Sequence, residues 1–274
     1  EHSPLRRDRD LCRRQARVGH GLAGAARAQG QLRQLEIEHV DDRAAVAALR
    51  RTLELGRATV ATPAFMPVGT RATVTGMTTD EFDQQVGDWL ATAKHPRFGR
   101  PYDQLTYQPQ QELLKYLRAN GFRTYIVSGG GADFMRVFSE RVYGIPPEQV
   151  VGSTGTVRFE MRDGKPVLVK TADYVFVDDK EGKPAGIHEF IARRPILAVG
   201  NSDGDQAMLE YTTVANPRPS LGVLIHHTDA EREYAYDADP PASGRLVTAL
   251  QEAPTAGWTV VDMKNDWNAV FAMP

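Results

Sequence analysis

Thr124-Tyr125-Ile126-Val127-Ser128-Gly129-Gly130-Gly131 joins a short run of β-forming residues to a glycine turn. A helical pattern follows at once, with Phe134, Phe138 and Val142 on one side. Strand, glycine turn and helix in that order predict a parallel α/β sheet. Such a turn offers free backbone N–H groups at the positive end of a helix, which suits an anion. Ser128 adds a hydroxyl donor, so Ser128 and Gly129 are candidates to hold a phosphate oxygen. The alternative is a tight turn with no ligand, because glycine also serves here for its shape alone.

The same rhythm returns further along. Ile196-Leu197-Ala198-Val199 reads as a strand and meets Gly200-Asn201-Ser202-Asp203-Gly204-Asp205, with a helix expected around Met208. Oxygen-bearing side chains at the end of a strand suit a hard cation such as magnesium, so Asn201, Asp203 and Asp205 are candidate ligands. An Asx-type turn that caps the next helix is the competing reading. Leu221–Ile225 and Trp258–Val261 read as further strands. Thr228-Asp229-Ala230-Glu231 has the pattern of a capping box opening a helix.

Other stretches frame this core. Thr79–Phe82 opens a helix that runs through Val86, Trp89 and Leu90. A second helix, with Pro109 in its first turn, carries Leu113, Leu114 and Leu117 and stops at Gly121. Val157–Val169 alternates with period two around Asp163-Gly164, which predicts a β-hairpin standing off the main sheet. A helix is expected near Pro184–Ala192. Lys183, just before it, is either a solvated surface lysine or a cation that balances a phosphate; Lys180 competes for that role. Lys94, His95, Arg97 and Arg100 form a basic loop that is either exposed or reads an anionic substrate. His226 and His227 follow a strand and could sit near a site, but in a strand one must point away from the other's face, so structural placement is the expectation for them.

The first 64 residues contain no Phe, Tyr, Trp or Lys, and their basic charge is all arginine. This segment has little with which to build a core. One helix is expected over about Asp41–Leu55; otherwise a surface arm or a segment of foreign origin accounts for the composition. Glu1–Arg17 is charged and shows no signal-peptide pattern. No apolar run reaches the roughly 18 residues of a membrane span. The net charge of -2 gives no basic field for nucleic acid, and the single Cys12 excludes an intrachain disulfide. Neither a membrane nor a nucleic-acid partner is therefore expected, and the cytoplasm is the default compartment.

Taken in order, Tyr125–Gly130, Lys183 and Val199–Asp205 resemble the second, third and fourth motifs of the haloacid dehalogenase-like superfamily, in its phosphoserine-phosphatase-like branch. The resemblance extends over about 77–271 and includes Ala93–Phe98 and Trp258–Lys264. It implies a Rossmann-like parallel core with a small helical cap, magnesium as cofactor and a small phosphorylated substrate. The division it implies is a non-matching segment 1–74, a cap-like helical region 75–107 and an α/β core 108–274, with the first segment poorly structured. Carried over, Ser128 and Gly129 bind phosphoryl oxygens, Lys183 balances charge, and Asp205 with Asn201 or Asp203 holds magnesium. The first motif of that family, a strand ending in Asp-x-Asp, has no convincing counterpart: Asp8-Arg9-Asp10 and Asp237-Ala238-Asp239 both lack the apolar strand before them. Without that nucleophile, phosphate binding is expected to outlast turnover. A short stretch, Thr62–Thr70, resembles tRNA-guanine transglycosylases.

Overall fold

The structure, a computed structural model, describes residues 74–239 and 244–272. The expected helix over Asp41–Leu55, the Asp8–Asp10 pair and the Thr62–Thr70 stretch lie outside the described residues.

The described chain is mixed α/β, as the strand–turn–helix reading requires. Helix α1 (Thr79–Thr92) starts where Thr78 and Glu81 cap one another, the Thr78 hydroxyl accepting from the Glu81 N–H at 3.1 Å and Glu81 accepting from the Thr78 N–H at 2.7 Å. Its apolar face, Phe82, Val86 and Leu90, packs against Phe134, Val137 and Phe138 of α3 (Ala132–Tyr143). Between them, α2 (Gln108–Ala119) takes Pro109 into its first turn, where a missing N–H costs nothing.

Two three-stranded sheets follow. In the first, β1 (Ile126–Gly131) pairs parallel with the start of β2 (Val150–Arg162), and β2 pairs antiparallel with β3 (Lys165–Phe176). The hairpin is longer than the alternation predicts. Its inner residues, from Val150 to Ser153, belong to the sheet, and only the outer half stands off it. Asp163 and Gly164 take positive φ values of 50° and 75°, the conformation a two-residue hairpin turn demands. In the second sheet β4 (Leu197–Gly200), β5 (Leu221–His226) and β6 (Thr259–Asp262) are all parallel. Parallel neighbours need crossovers. α5 (Gln206–Thr213) lies between β4 and β5 in sequence, and α6 (Thr248–Ala256) lies between β5 and β6. A short α4 (Gly182–Gly186), continued by a π-helical turn, precedes β4, and α7 (Met263–Asp266) is the last helix among the described residues.

The main core sits under the second sheet. Leu209, Leu224, Leu246, Ala249 and Ala253 are fully buried there with Trp258. Truncating Leu224 to alanine would remove about 2–5 kcal/mol. Val127 of β1 packs on the same cluster as Ala198 of β4. The carboxyl ends of β1 and β4 therefore approach one another, although within the described residues each pairs on one side only.

The expected helix after Thr228 does not form; residues 230–232 make a turn. Asp229 does accept from the Glu231 and Arg232 N–H groups, as a cap should. The chain is then drawn back, because the Tyr236 N–H bonds to the His227 carbonyl at 3.0 Å. Among the described residues, no helix is long and apolar enough to cross a membrane.

Candidate functional site

Four short segments meet where β1 and β4 end. At β1, Ser128 pairs with Gly152 and Gly131 with Ser153, so Gly129 and Gly130 bulge out of register. The Ser128 Oγ accepts from the Gly130 N–H at 3.2 Å, which leaves its own proton free to donate. Beyond the bulge α3 begins at Gly131 with no side-chain cap on its first turn.

Lys183 is the link between the strands, and it is buried rather than solvated. Its Nζ donates to the Val127 carbonyl at 3.1 Å and to Asp205 Oδ1 at 2.6 Å. Both side chains of this ion pair are more than nine-tenths buried. Two of the three ammonium protons are thereby placed. The competitor Lys180 is exposed, and only its backbone reaches the site, donating to the Gly204 carbonyl at 3.2 Å.

At β4, Asp205 holds its own loop. Its Oδ2 accepts from the Asn201 N–H at 2.9 Å, and from the Ser202 N–H and hydroxyl at 3.1 Å each. Gly200 is required here, since a Cβ would lie 2.4 Å from that of Asp205. The three predicted ligands are thus not equivalent. Asn201 and Asp205 share the loop facing Lys183. Asp203 turns its Oδ1 to the Val247 and Ala249 N–H groups at 2.8 and 3.0 Å, at the start of α6.

Asp178 and Asp179, after β3, form a fourth wall that sequence reasoning missed. Asp178 is fully buried, and no well-formed hydrogen bond reaches either of its carboxylate oxygens. Burial pushes its pKa up to about 6, against the pull of Lys183 and of the Ser128 N–H. Asp179 lies against the opposite loop: a Cβ on Gly204 would come within 2.6 Å of its Oδ1. The available signal was two adjacent acids following the β-rich run Val175-Phe176-Val177.

Behind Asn201 stands His227, buried, whose ring Nε2 lies 3.2 Å from the Asn201 amide nitrogen and whose Nδ1 lies 2.9 Å from Glu233 Oε2. His226 instead faces outward to Asp237, so the two histidines diverge as a strand requires. The basic loop at 94–100 is used differently from the corner. Arg97 donates to the Ala230 and Glu231 carbonyls and stacks over Tyr234. Arg100 donates to the Gln104 and Ala272 carbonyls. The His95 ring packs on Phe98 and Tyr102.

Among the described residues no group of three His, Cys, Asp or Glu side chains is placed to hold a metal. Magnesium needs less: it keeps several waters and takes one or two carboxylates. The orphaned Asp178 carboxylate, the remaining lone pair on Asp205 Oδ1 and the side-chain oxygen of Asn201 fit that requirement. A separate cleft of about 270 Å³ lies between the hairpin and α1, lined by Thr78, Asp80, Phe159 and Leu168 among others. It is lined by no cationic side chain, in contrast to the corner with its buried Lys183.

No known protein family matches the chain, and no curated protein does. Among the solved structures that resemble it distantly are the following two. One is a conserved, functionally unknown protein from Anaerococcus prevotii DSM 20548, at 20% identity and a TM-score of 0.45, covering 69% of this chain and 51% of that one. The other is a phosphoserine phosphohydrolase-like protein from Francisella tularensis subsp. tularensis SCHU S4, at 14% identity and a TM-score of 0.32, covering 58% of this chain and 68% of that one. The chain thus spans about half the length of the first of these. Neither overlap is close enough to bear on the site.

Proposed function

We propose that this chain carries a haloacid dehalogenase-like core that binds the phosphoryl group of a small phosphomonoester together with magnesium. One observation carries the reading: a single buried ammonium, on Lys183, joins the end of β1 to the carboxylate at the end of β4. A cation so placed balances Asp205 and leaves one proton for an incoming oxygen. Ser128, with its free hydroxyl proton, and the bulged Gly129 and Gly130 would supply the remaining donors. Asn201 and Asp205, with Asp178 near them, would hold the magnesium, whose chemistry there is to neutralise charge on phosphoryl oxygens.

Turnover is proposed to be weak or absent. Among the described residues, no strand ends in an Asp-x-Asp pair. Asp178 does not substitute for one, because Lys180, not an aspartate, stands two residues on. The measurement is hydrolysis of an aryl phosphate with and without magnesium. The expected result is saturable phosphate binding with little hydrolysis. Robust magnesium-dependent turnover, lost in Asp205→Asn, would show that a nucleophile is present after all. Absence of phosphate binding would remove the reading altogether.

A further inference from the structure

The chemistry of the corner depends on which way the Asn201 amide faces, and a buried relay stands behind it. Glu233 is an acceptor, so the 2.9 Å contact from its Oε2 to His227 Nδ1 requires the proton on Nδ1. A neutral imidazole then has only a lone pair at Nε2. At 3.2 Å from that lone pair lies the Asn201 amide, which must answer with its NH₂ group and not its oxygen. The Tyr236 hydroxyl borders the same amide, and its ring stacks on His227 at 4.6 Å. Glu233 is itself held, because the Tyr107 hydroxyl donates to its Oε1 at 3.3 Å. His227 and Glu233 are both more than nine-tenths buried, so water has little access to break the chain of bonds.

We infer that His227, set by Glu233, is a positioning residue that aims the side-chain oxygen of Asn201 into the corner, where a divalent cation would take it. The inference rests on the magnesium reading of Asn201 proposed above. An aspartate in this place would present an oxygen whichever way it turned. An asparagine works as a ligand only when something fixes its orientation, and the relay supplies that. Outer partners of this kind typically tune metal affinity by about 10–100-fold.

The test is a double-mutant cycle on the full chain, read by magnesium calorimetry in the presence of inorganic phosphate. Glu233→Gln can offer an N–H to Nδ1, which drives the proton to Nε2 and reverses the Asn201 amide. In the Asn201 background it is expected to weaken magnesium binding about tenfold. In an Asn201→Asp background the same change is expected to alter it less than about twofold, since a carboxylate has no wrong orientation. Equal losses in both backgrounds would overturn the relay while leaving the site reading intact. No magnesium uptake by the wild type would instead defeat the site reading itself, and the relay with it. Should Glu233→Gln not fold, the wild type still decides. With isotope-labelled histidine, ring nitrogen shifts are expected to place the His227 proton on Nδ1, and a proton on Nε2 would overturn the inference.

Discussion

The corner at Lys183 and the loop at Arg97 both put cations where an anion could come, yet they are built in opposite ways. Lys183 is buried and its partners are a strand carbonyl and a carboxylate, so its charge is shared between two elements and one proton is unassigned. Arg97 is exposed and Arg100 half-buried, and the terminal nitrogens of both guanidinium groups are tied to backbone carbonyls. A carbonyl satisfies a donor without cancelling its charge, but it fixes the side chain in place as a clasp. The difference teaches that a cation's role follows from its partners and its burial rather than from how basic its stretch of sequence is.

The contrast can be broken most severely at the buried pair. Lys183→Met leaves Asp205 charged, buried and without its cation, and should cost about 3–5 kcal/mol of stability in urea unfolding. A loss below about 1 kcal/mol would mean the pair is solvated and the corner open.

Asp178 sharpens the same region in the other direction. Its carboxyl has an ordinary pKa of 3.8 and is pushed up to about 6 by burial, so the folded chain holds its proton more tightly than the unfolded one. Stability is therefore lost as pH rises between those two values, and it stays lowered above them. Asp178→Asn has nothing to ionise. Without divalent ions it should match the wild type near pH 4 and exceed it by on the order of 1–3 kcal/mol near pH 7.5. Equal stability at both pH values would show that Asp178 finds a partner in solution.

At the loop the effects should be small. Arg97→Ala loses a cation–π contact and two exposed hydrogen bonds, about 1 kcal/mol in thermal unfolding, with no change in phosphate binding. Smaller still is Phe159→Ser on the outer hairpin, where the ring is 63% exposed; less than about 0.5 kcal/mol is expected. A larger loss there would mean that the hairpin face is covered in solution.

Much of the architecture was legible where local signals and packing agree. The helix opening at Thr79–Phe82, the Asp163-Gly164 turn and the β-rich runs at Ile126, Leu197 and Leu221 all become what their patterns predict. The misses share a cause, which is tertiary context. Thr228–Glu231 carries a helix-start pattern, but Asp229 also binds the Arg232 guanidinium, and Arg232 reaches the Met263, Lys264 and Trp267 carbonyls near α7. Those long-range bonds hold the segment as a turn. Helix α6 went unnoticed because its sequence is mostly small and polar, with Pro254 inside it.

The site was legible as two turns but not as a corner. Ser128, Asn201 and Asp205 follow their strands as read, and Lys183 was named although its burial was not foreseen. No spacing in the chain indicates that Lys183 would cross to Val127, 56 positions away. Asp178 and Asp179 follow a strand of the hairpin, which local reading treated as an excursion away from the core. His227 looked structural. Its link to Asn201 depends on the register that aligns His226 with Asp262 and Gly200 with Leu224, a relation between strands that one sequence does not display.

Calorimetry of inorganic phosphate with magnesium, run on the wild type, Ser128→Ala and Arg97→Ala, tests the central claim most directly. Saturable binding weakened about tenfold by Ser128→Ala, as loss of a hydrogen bond to a charged group predicts, and unchanged by Arg97→Ala places the anion at the Lys183 corner. Binding that survives Ser128→Ala but fails in Arg97→Ala, or no saturable binding by the wild type, would contradict it.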